Sequence, residues 1–174
     1  MTVLVFVDSN VLIYHRDASD PVKQAIASRW LDHLWRNGTG RISCQALNEY
    51  YVVATRKLES QLDPDDAWDD VTSLFRWEPL PVSPEVLTRA RDVQRLHRLS
   101  WWDSLIVAAA QLQNCTVLLT EDLQDGARFG SVVVHSPFTL RVEEATPEYA
   151  KPLRRVRHPP RGRPRKTVAQ PTER

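Results

Sequence analysis

A chain of 174 residues, of which 42% are hydrophobic, is long enough for one domain with a substantial core. No apolar run approaches the roughly 18 residues that span a membrane, so we expect no membrane partner and a cytoplasmic location. The net charge of +1 hides an asymmetry, because residues 1–150 carry 14 basic against 21 acidic side chains, whereas residues 151–174 carry 9 against 1. An acidic body followed by a basic segment indicates that this segment contacts nucleic acid.

Strands and helices alternate along most of the chain. Three helices should begin with a capping residue followed by proline, at Asp20-Pro21, Asp63-Pro64 and Ser83-Pro84. In chain order we expect a strand over 3–7, helices over 9–15 and 21–36, a strand over 41–44, helices over 45–59 and from 64, a strand over 80–82, helices over 84–99 and from 101, a strand over 116–120, a polar loop over 122–130, a strand over 131–135, and an edge strand or coil over 138–142.

This alternation predicts an α/β domain whose sheet is mostly parallel and covered by helices on both faces. The domain should occupy residues 1–145. Residues 146–174 should form a disordered basic tail, because their proline- and arginine-rich composition cannot bury a core. Cys44 and Cys115 fall inside predicted buried elements, and we expect both to be reduced thiols.

Four acidic side chains stand where an apolar core would not place them. Asp8 ends the first strand and Asp122 follows the strand over 116–120, whereas Glu49 and Asp103 lie in the early turns of two helices. In an open parallel sheet, the carboxyl ends of strands and the N-terminal ends of the following helices open onto one edge. We therefore expect these four carboxylates to face a single crevice.

A cluster of four carboxylates needs a counter-charge. Two carboxylates about 5 Å apart repel by roughly 3 kcal/mol at an effective dielectric constant of about 20. Such a group would take up protons or open unless divalent cations bound within it. Oxygen ligands without His or Cys favour Mg²⁺ or Mn²⁺ over zinc, and carboxylate-bound magnesium is common in phosphoryl chemistry.

The order and spacing of four motifs resemble those of a known family. The motifs are VFVDSNVLIY, LNEYYVVATRK, WWDSLIVAAA and LLTEDLQDG. Together they resemble the PIN domain, and most of all the VapC-type ribonuclease toxins of bacterial toxin–antitoxin pairs, over about residues 2–145. The resemblance implies a three-layer α/β/α sandwich and a metal-dependent endoribonuclease that a cognate antitoxin silences. It also implies a homodimer.

The same resemblance implies roles for individual residues. The metal ligands would all be acidic: Asp8, Asp103 and Asp122 directly, and Glu49 directly or through water. Asn10 and Thr120 would orient these ligands from behind. A water activated by the metal would attack the RNA phosphodiester in line, which leaves a 5′-phosphate and a 3′-hydroxyl.

The tail contains a second motif, PRGRPRK over residues 160–166. It resembles an AT-hook, in which a Gly-Arg-Pro core flanked by basic residues lies in a narrow A·T-rich minor groove. Its candidate nucleic-acid-binding residues are Arg161, Arg163, Arg165 and Lys166. Non-specific contact with the phosphates of RNA or DNA, or a purely solubilising role, are the alternatives.

Other functions fit parts of the pattern. The chain could be a nucleic-acid-binding module tethered to DNA by its tail, with little or no nuclease activity. A haloacid-dehalogenase-like phosphatase also has an aspartate after its first strand, but it needs a second one where Asn10 stands here. Trp101 and Trp102 flank Asp103, and they could stack on RNA bases or pack in the core.

Overall fold

A computed structural model describes residues 3–140 of the chain. The strands are short and are separated by helices in the expected alternation. In chain order the elements are β1 (Val5–Val7), α1 (Ser9–Arg16), α2 (Pro21–Asn37), β2 (Gly40–Arg41), α3 (Cys44–Arg56), α4 (Pro64–Ser73), a 3-10 helix (Leu74–Trp77), α5 (Pro84–His97), α6 (Trp101–Leu112), β3 (Val117–Leu119), β4 (Arg128–Phe129) and β5 (Val132–His135).

One five-stranded sheet, in the order β2-β1-β3-β5-β4, forms the centre of the described residues. β1 pairs in parallel with β2 and β3, and β3 pairs in parallel with β5. Only β4 runs antiparallel, against β5. The side chains of β1, β3 and β5 are all buried, because helices cover both faces of a parallel sheet. The predicted α/β fold with a mostly parallel sheet is therefore confirmed.

The helices pack in two groups around this sheet. α1 packs against α2 and α3, and α3 packs against α4, whereas α5 packs against α6, which contacts β3 and β5. The three predicted helix starts are confirmed. The oxygens of Asp20, Asp63 and Ser83 each accept a hydrogen bond from a backbone N–H in the first turn, and proline follows each of them.

Two predicted strands are wrong in extent. β2 covers only Gly40–Arg41, and the expected strand end at Cys44 is instead the first residue of α3. The cause is Ser43, whose hydroxyl accepts a hydrogen bond from the N–H of Ala46 and so caps the helix. The predicted strand over 80–82 is reduced to a single parallel bridge between Ser43 and Leu80.

Three helical or loop boundaries also differ. The helix expected over 45–59 ends at Arg56, and the helix from 64 gives way to a 3-10 turn after Ser73. The loop predicted over 122–130 contains β4, which turns back through Gly130, at φ 62°, to pair with β5. The part of 138–142 that is described, up to residue 140, is turn and bend rather than strand.

Trp30 is fully buried, and its indole N–H donates to the carbonyl of Pro137 at 3.0 Å. Beside β2, Trp77 packs against Gly40 so closely that a Cβ at that position would lie 2.6 Å from the indole ring. Both cysteines are free thiols, as expected. Within residues 3–140, none of the helices has the length and apolar character needed to cross a membrane.

Candidate functional site

The candidate site lies at the carboxyl edge of β1 and β3. These strands are parallel neighbours, with Val7 opposite Leu119. Asp8 directly follows β1, and its N–H donates to the carbonyl of Leu119 at 3.1 Å. Thr120 directly follows β3, and Asp122 comes two residues later. The edge rule therefore places these side chains beside one another, as the sequence indicated.

Asp8 is the most buried of the predicted acids, with 6% of its surface exposed. Its Oδ1 accepts from the N–H of Ser9 at 2.7 Å, and its Oδ2 accepts from the Thr120 hydroxyl at 2.7 Å and from Asn10 Nδ2 at 3.4 Å. Burial is the largest influence and raises the pKa of Asp8 to about 7. Hydrogen bonds from Thr120 and Ser9 oppose this rise, whereas the charges of two other acids add to it, those of Asp122 and Glu49.

Thr120 connects the two strand ends through its hydroxyl. Besides donating to Asp8, this oxygen accepts from Asn10 Nδ2 at 2.9 Å and from the N–H of Asp122 at 3.1 Å. Both Thr120 and Asn10 are buried. The two residues predicted as ligand-orienting helpers thus contact Asp8, and Thr120 also fixes the start of the turn that carries Asp122.

Glu49 reaches this edge from α3. Its Oε2 accepts from the Ser9 hydroxyl at 3.0 Å, and its Oε1 accepts from Gln45 Nε2 at 2.8 Å. The same Gln45 nitrogen lies 3.4 Å from the carbonyl of Trp102 at the start of α6. Ser9 and Gln45 were missed by the sequence analysis, although Gln45 stands four residues before Glu49, a spacing that puts both on one helix face.

Asp103 is not joined to the other three acids by hydrogen bonds. It lies in the first turn of α6, where its Oδ2 accepts from the Ser100 hydroxyl at 2.6 Å and its N–H donates to the same oxygen at 3.1 Å. Its neighbour Trp102 is linked to Glu49 through Gln45, so the start of α6 lies beside the site. Among residues 3–140, no three His, Cys, Asp or Glu side chains form a group that could hold a metal ion as they stand.

The donor set nevertheless fits a hard divalent cation. Carboxylate and amide oxygens are the ligands that Mg²⁺ and Mn²⁺ prefer. Asn10 Oδ1 is buried and has no hydrogen-bond partner among the described residues. The raised pKa of Asp8 shows that its charged form is disfavoured by burial and by neighbouring carboxylates. A cation would relieve both conditions, because it supplies the missing partner and the counter-charge.

Two other acids in the fourth motif are held away from the site. Glu121 accepts from Tyr14 Oη and from Lys23 Nζ, and the ammonium of Lys23 also lies 4.5 Å from the centre of the Tyr14 ring. Asp125 accepts from the backbone N–H of Ser136 at 3.0 Å and from a side-chain hydroxyl in the same turn. Both acids thus have structural partners, which leaves Asp122 as the acid of this motif that faces the groove described next.

A groove of about 680 Å³ begins at this site, with Glu49 and Asp122 in its wall. It also includes Lys57, eight residues after Glu49 and just beyond the end of α3, so it extends roughly 12 Å along that helix. Its volume lies within the range of about 300–1,000 Å³ typical of small-ligand sites. The tail residues predicted to bind nucleic acid, which are Arg161, Arg163, Arg165 and Lys166, lie outside the described residues.

A second polar network lies behind the site. Asp70 on α4 accepts hydrogen bonds from the Arg16 guanidinium and the Tyr50 hydroxyl. It therefore ties α4 to α1 and α3. The Arg16 guanidinium, next to Asp70, contributes to a lowered pKa of that carboxyl against the effect of its burial. This network stabilises the helix that carries Glu49 and adds no group to the groove.

Comparison with known proteins identifies a family for most of the chain. The family model of the PIN domain matches residues 5–125. No curated protein sequence matches the chain significantly.

Solved structures from bacteria share the fold. A toxin–antitoxin complex from Klebsiella pneumoniae is 20% identical with a TM-score of 0.57, covering 78% of this chain and 99% of its own. VapBC2 from Rickettsia felis, bound to a DNA fragment from its promoter, is 17% identical with a TM-score of 0.57. The match covers 76% of this chain and 98% of the VapBC2 chain. VapC20 from Mycobacterium tuberculosis, a toxin that cleaves the sarcin-ricin loop, is 17% identical with a TM-score of 0.50. The match covers 66% of this chain and 86% of the VapC20 chain. At these identities the likeness confirms the fold.

Proposed function

Because the chain belongs to the PIN domain family, we propose that it is a metal-dependent endoribonuclease and the toxin of a toxin–antitoxin pair. The observation that carries the proposal is the hydrogen-bonded connection of Asp8 to Glu49, through Ser9, and to the backbone of Asp122, through Thr120. Three separate pieces of chain bring these acids to the carboxyl edge of a parallel sheet, where open α/β folds bind their ligands.

Asp8 and Asp122 would hold Mg²⁺ or Mn²⁺, together with Glu49 in the second turn of α3 and Asp103 in the first turn of α6. A bound ion of this kind supplies an activated water and neutralises charge on the phosphate. The chain's own residues set the positions of the ligands. Thr120 holds Asp8, Gln45 holds Glu49, and Ser100 holds Asp103.

The proposed reaction is hydrolysis of an RNA phosphodiester. Water adds to the phosphorus and the bond to the 3′ oxygen breaks, which leaves a 5′-phosphate on one fragment and a 3′-hydroxyl on the other. The groove that starts at Glu49 and Asp122 offers the place for the nucleotides next to the cleaved bond. The VapC20 neighbour is a toxin that cleaves the sarcin-ricin loop, and this supports RNA as the substrate class.

We also propose that a cognate antitoxin silences this chain, and that it acts in the cytoplasm as a homodimer. Two neighbours in fold support the antitoxin, because one is a toxin–antitoxin complex and another is a VapBC pair bound to its promoter DNA. The AT-hook-like tail remains a prediction from the sequence. The charge of the tail supports a contact with DNA or RNA phosphates.

Cleavage of RNA by the purified chain tests the proposal. A labelled RNA is incubated with the protein in Mg²⁺, in Mn²⁺ and with EDTA, using the wild type, Asp8→Asn and Asp92→Asn. Asp92 is an exposed acid on α5, so its variant controls for a change of one charge. We expect the wild type and Asp92→Asn to cleave with either metal, and Asp8→Asn to be at least 100-fold slower, since one interaction at a reacting centre is worth about 3 kcal/mol. Cleavage that persists in EDTA or in Asp8→Asn would contradict the proposal.

A further inference from the structure

Two adjacent tryptophans at the start of α6 have different environments. Trp101 is half-buried and packs against a small apolar cluster that joins α5 and α6 through Val86, Ala90 and Leu105. Trp102 is 64% exposed, which makes it one of the most exposed large apolar side chains in residues 3–140. Core packing therefore explains Trp101 and leaves Trp102 without a structural role.

The exposed ring of Trp102 lines the groove of the candidate site. The same groove is lined by Glu49 and Asp122, and Trp102 directly precedes Asp103 in the chain. Its backbone is held in place, because the carbonyl of Trp102 accepts from the buried amide of Gln45, which also binds Glu49. The backbone that carries the ring is thus held next to the acids.

The other groups of the groove complement an aromatic platform. Val82 and Val52 are 51% and 42% exposed and add apolar surface to the wall. Asn48 contributes an exposed side-chain amide, which can pair with the edge of a base. Lys57 forms no ion pair within residues 3–140. A cation without a partner in an otherwise acidic groove fits a backbone phosphate.

We propose that Trp102 is a stacking platform for an unpaired nucleobase next to the cleaved bond, with Lys57 on a neighbouring phosphate. This inference rests on the proposed ribonuclease function and narrows its substrate to single-stranded RNA or unpaired loops. A base inside an RNA duplex has both faces covered by its neighbours, so only an unpaired base can lie on the indole ring. Stacking tolerates any base, and sequence preference would arise from amides such as Asn48.

Binding and cleavage of a fluorescein-labelled single-stranded RNA of mixed sequence test this proposal. The variants are Trp102→Ala, Trp102→Phe and, as a matched control, Trp68→Ala, because Trp68 is 52% exposed but lies on α4 outside the groove. We expect Trp102→Ala to weaken binding about 5- to 150-fold and to raise KM more than it lowers kcat. Phenylalanine should restore most of the loss, and Trp68→Ala should match the wild type.

Modified RNA separates stacking from a general effect on the site. An abasic nucleotide placed in turn at each position around the cleavage point removes one base face. At one position, the wild type should lose affinity while Trp102→Ala loses none, since its platform is already gone. The same RNA as a duplex should be a poor substrate for every variant. Lys57→Ala should reduce the slope of log Kd against log salt by about 1.

The outcomes distinguish the two proposals. If the wild type neither binds nor cleaves RNA, the proposed function fails and this inference with it. If the wild type cleaves RNA but Trp102→Ala binds it as tightly as Trp102→Phe does, only the stacking platform is overturned. If Trp102→Ala binds RNA as tightly as the wild type but no longer binds a protein partner, the stacking platform is likewise overturned. The ring would then belong to a protein interface.

Discussion

The hydroxyl of Thr120 donates a hydrogen bond of 2.7 Å to Oδ2 of Asp8, although the two residues are 112 positions apart. The bond joins the carboxyl ends of β1 and β3, which the sheet makes neighbours. It is one of two short hydrogen bonds to a carboxylate that is almost fully buried. The Thr120 hydroxyl therefore connects the topology of the sheet directly to the candidate metal ligands.

Replacing Thr120 by valine should test this connection. Valine keeps the shape and removes the hydroxyl, so Asp8 loses a donor and the N–H of Asp122 and Asn10 Nδ2 lose an acceptor. We expect the free energy of unfolding to fall by about 1–3 kcal/mol and RNA cleavage to fall by about 10–100-fold, as for residues that orient metal ligands. Chemical denaturation and cleavage assays measure the two effects.

Thr116→Val provides the control for that substitution. The Thr116 hydroxyl precedes β3 and is buried without a hydrogen-bond partner among the described residues. Its removal should leave stability unchanged or slightly raised, and cleavage unchanged. Equal losses in the two variants would mean that Thr120 acts through packing alone.

Asp8→Asn should stabilise the protein in EDTA at high pH. The pKa of Asp8 is about 7 in the folded chain against an ordinary 3.8, so the folded state binds the proton more tightly. That contribution to stability is complete below pH 3.8 and is lost as the pH rises through 7, a difference of up to about 4 kcal/mol. Asparagine carries no charge at any pH, so the variant does not lose this stability as the pH rises. The melting temperature of the variant, minus that of the wild type, should therefore grow from pH 5 to pH 8.

The same melting curves contain two checks. Asp92→Asn removes an exposed carboxylate, and its difference from the wild type should not change with pH. Adding Mg²⁺ at pH 8 should raise the melting temperature of the wild type and not that of Asp8→Asn, because a cation stabilises the charged carboxylate. A difference between Asp8→Asn and the wild type that is constant from pH 5 to 8 would contradict a raised pKa at Asp8.

Gln45 offers a test of the link between α3 and α6. Its buried side chain donates to Glu49 and lies within hydrogen-bonding distance of the Trp102 carbonyl. Gln45→Met keeps the volume and removes both interactions, so Glu49 gains freedom to move. We expect kcat to fall by about 10-fold. Gln61→Met is the control, because the Gln61 amide is exposed and donates to the backbone carbonyl of Arg56 at the end of α3, away from Glu49. Identical kcat values for both variants would show that Gln45 does not position Glu49 for the reaction.

Truncation after Ala150 tests the basic tail. The removed residues carry a net charge of +8, from 9 basic side chains and one acidic. The truncated chain should cleave RNA normally but bind A·T-rich duplex DNA more weakly and with a smaller dependence on salt. Replacing Arg161, Arg163, Arg165 and Lys166 by alanine in the full chain should reproduce the loss. Unchanged DNA binding in both would refute the AT-hook interpretation.

Much of the site is predictable because it follows from sheet topology. Asp8 and Asp122 come after buried strands, and neighbouring parallel strands always bring such residues together. Asn10 lies in the same sequence motif as Asp8, and Thr120 lies in the same motif as Asp122. Their contacts with Asp8 confirm where the topology places them, whereas their role in metal binding remains a prediction.

The features that the sequence analysis did not predict depend on which hydrogen-bond and ion-pair partners the side chains find in the folded chain. Residue spacing alone does not reveal these partners. Ser43 caps α3 where a strand was expected, and β4 is too short to show an alternating pattern. Lys23 draws Glu121 away across 98 positions, which no local pattern reveals. The pairing of Asp103 with Ser100 was foreseeable, because serine followed three residues later by an acid is typical of a helix start.

Sequencing of RNA 5′ ends in cells after induction of the chain, with the wild type beside Asp8→Ala, tests whether the chain cleaves RNA through Asp8. We expect new 5′-monophosphate ends at discrete sites, within single-stranded regions, accompanied by growth arrest. Both effects should be absent with Asp8→Ala at equal protein level. The same ends and the same arrest with both proteins, or no new ends with the wild type, would contradict a metal-dependent ribonuclease built on Asp8.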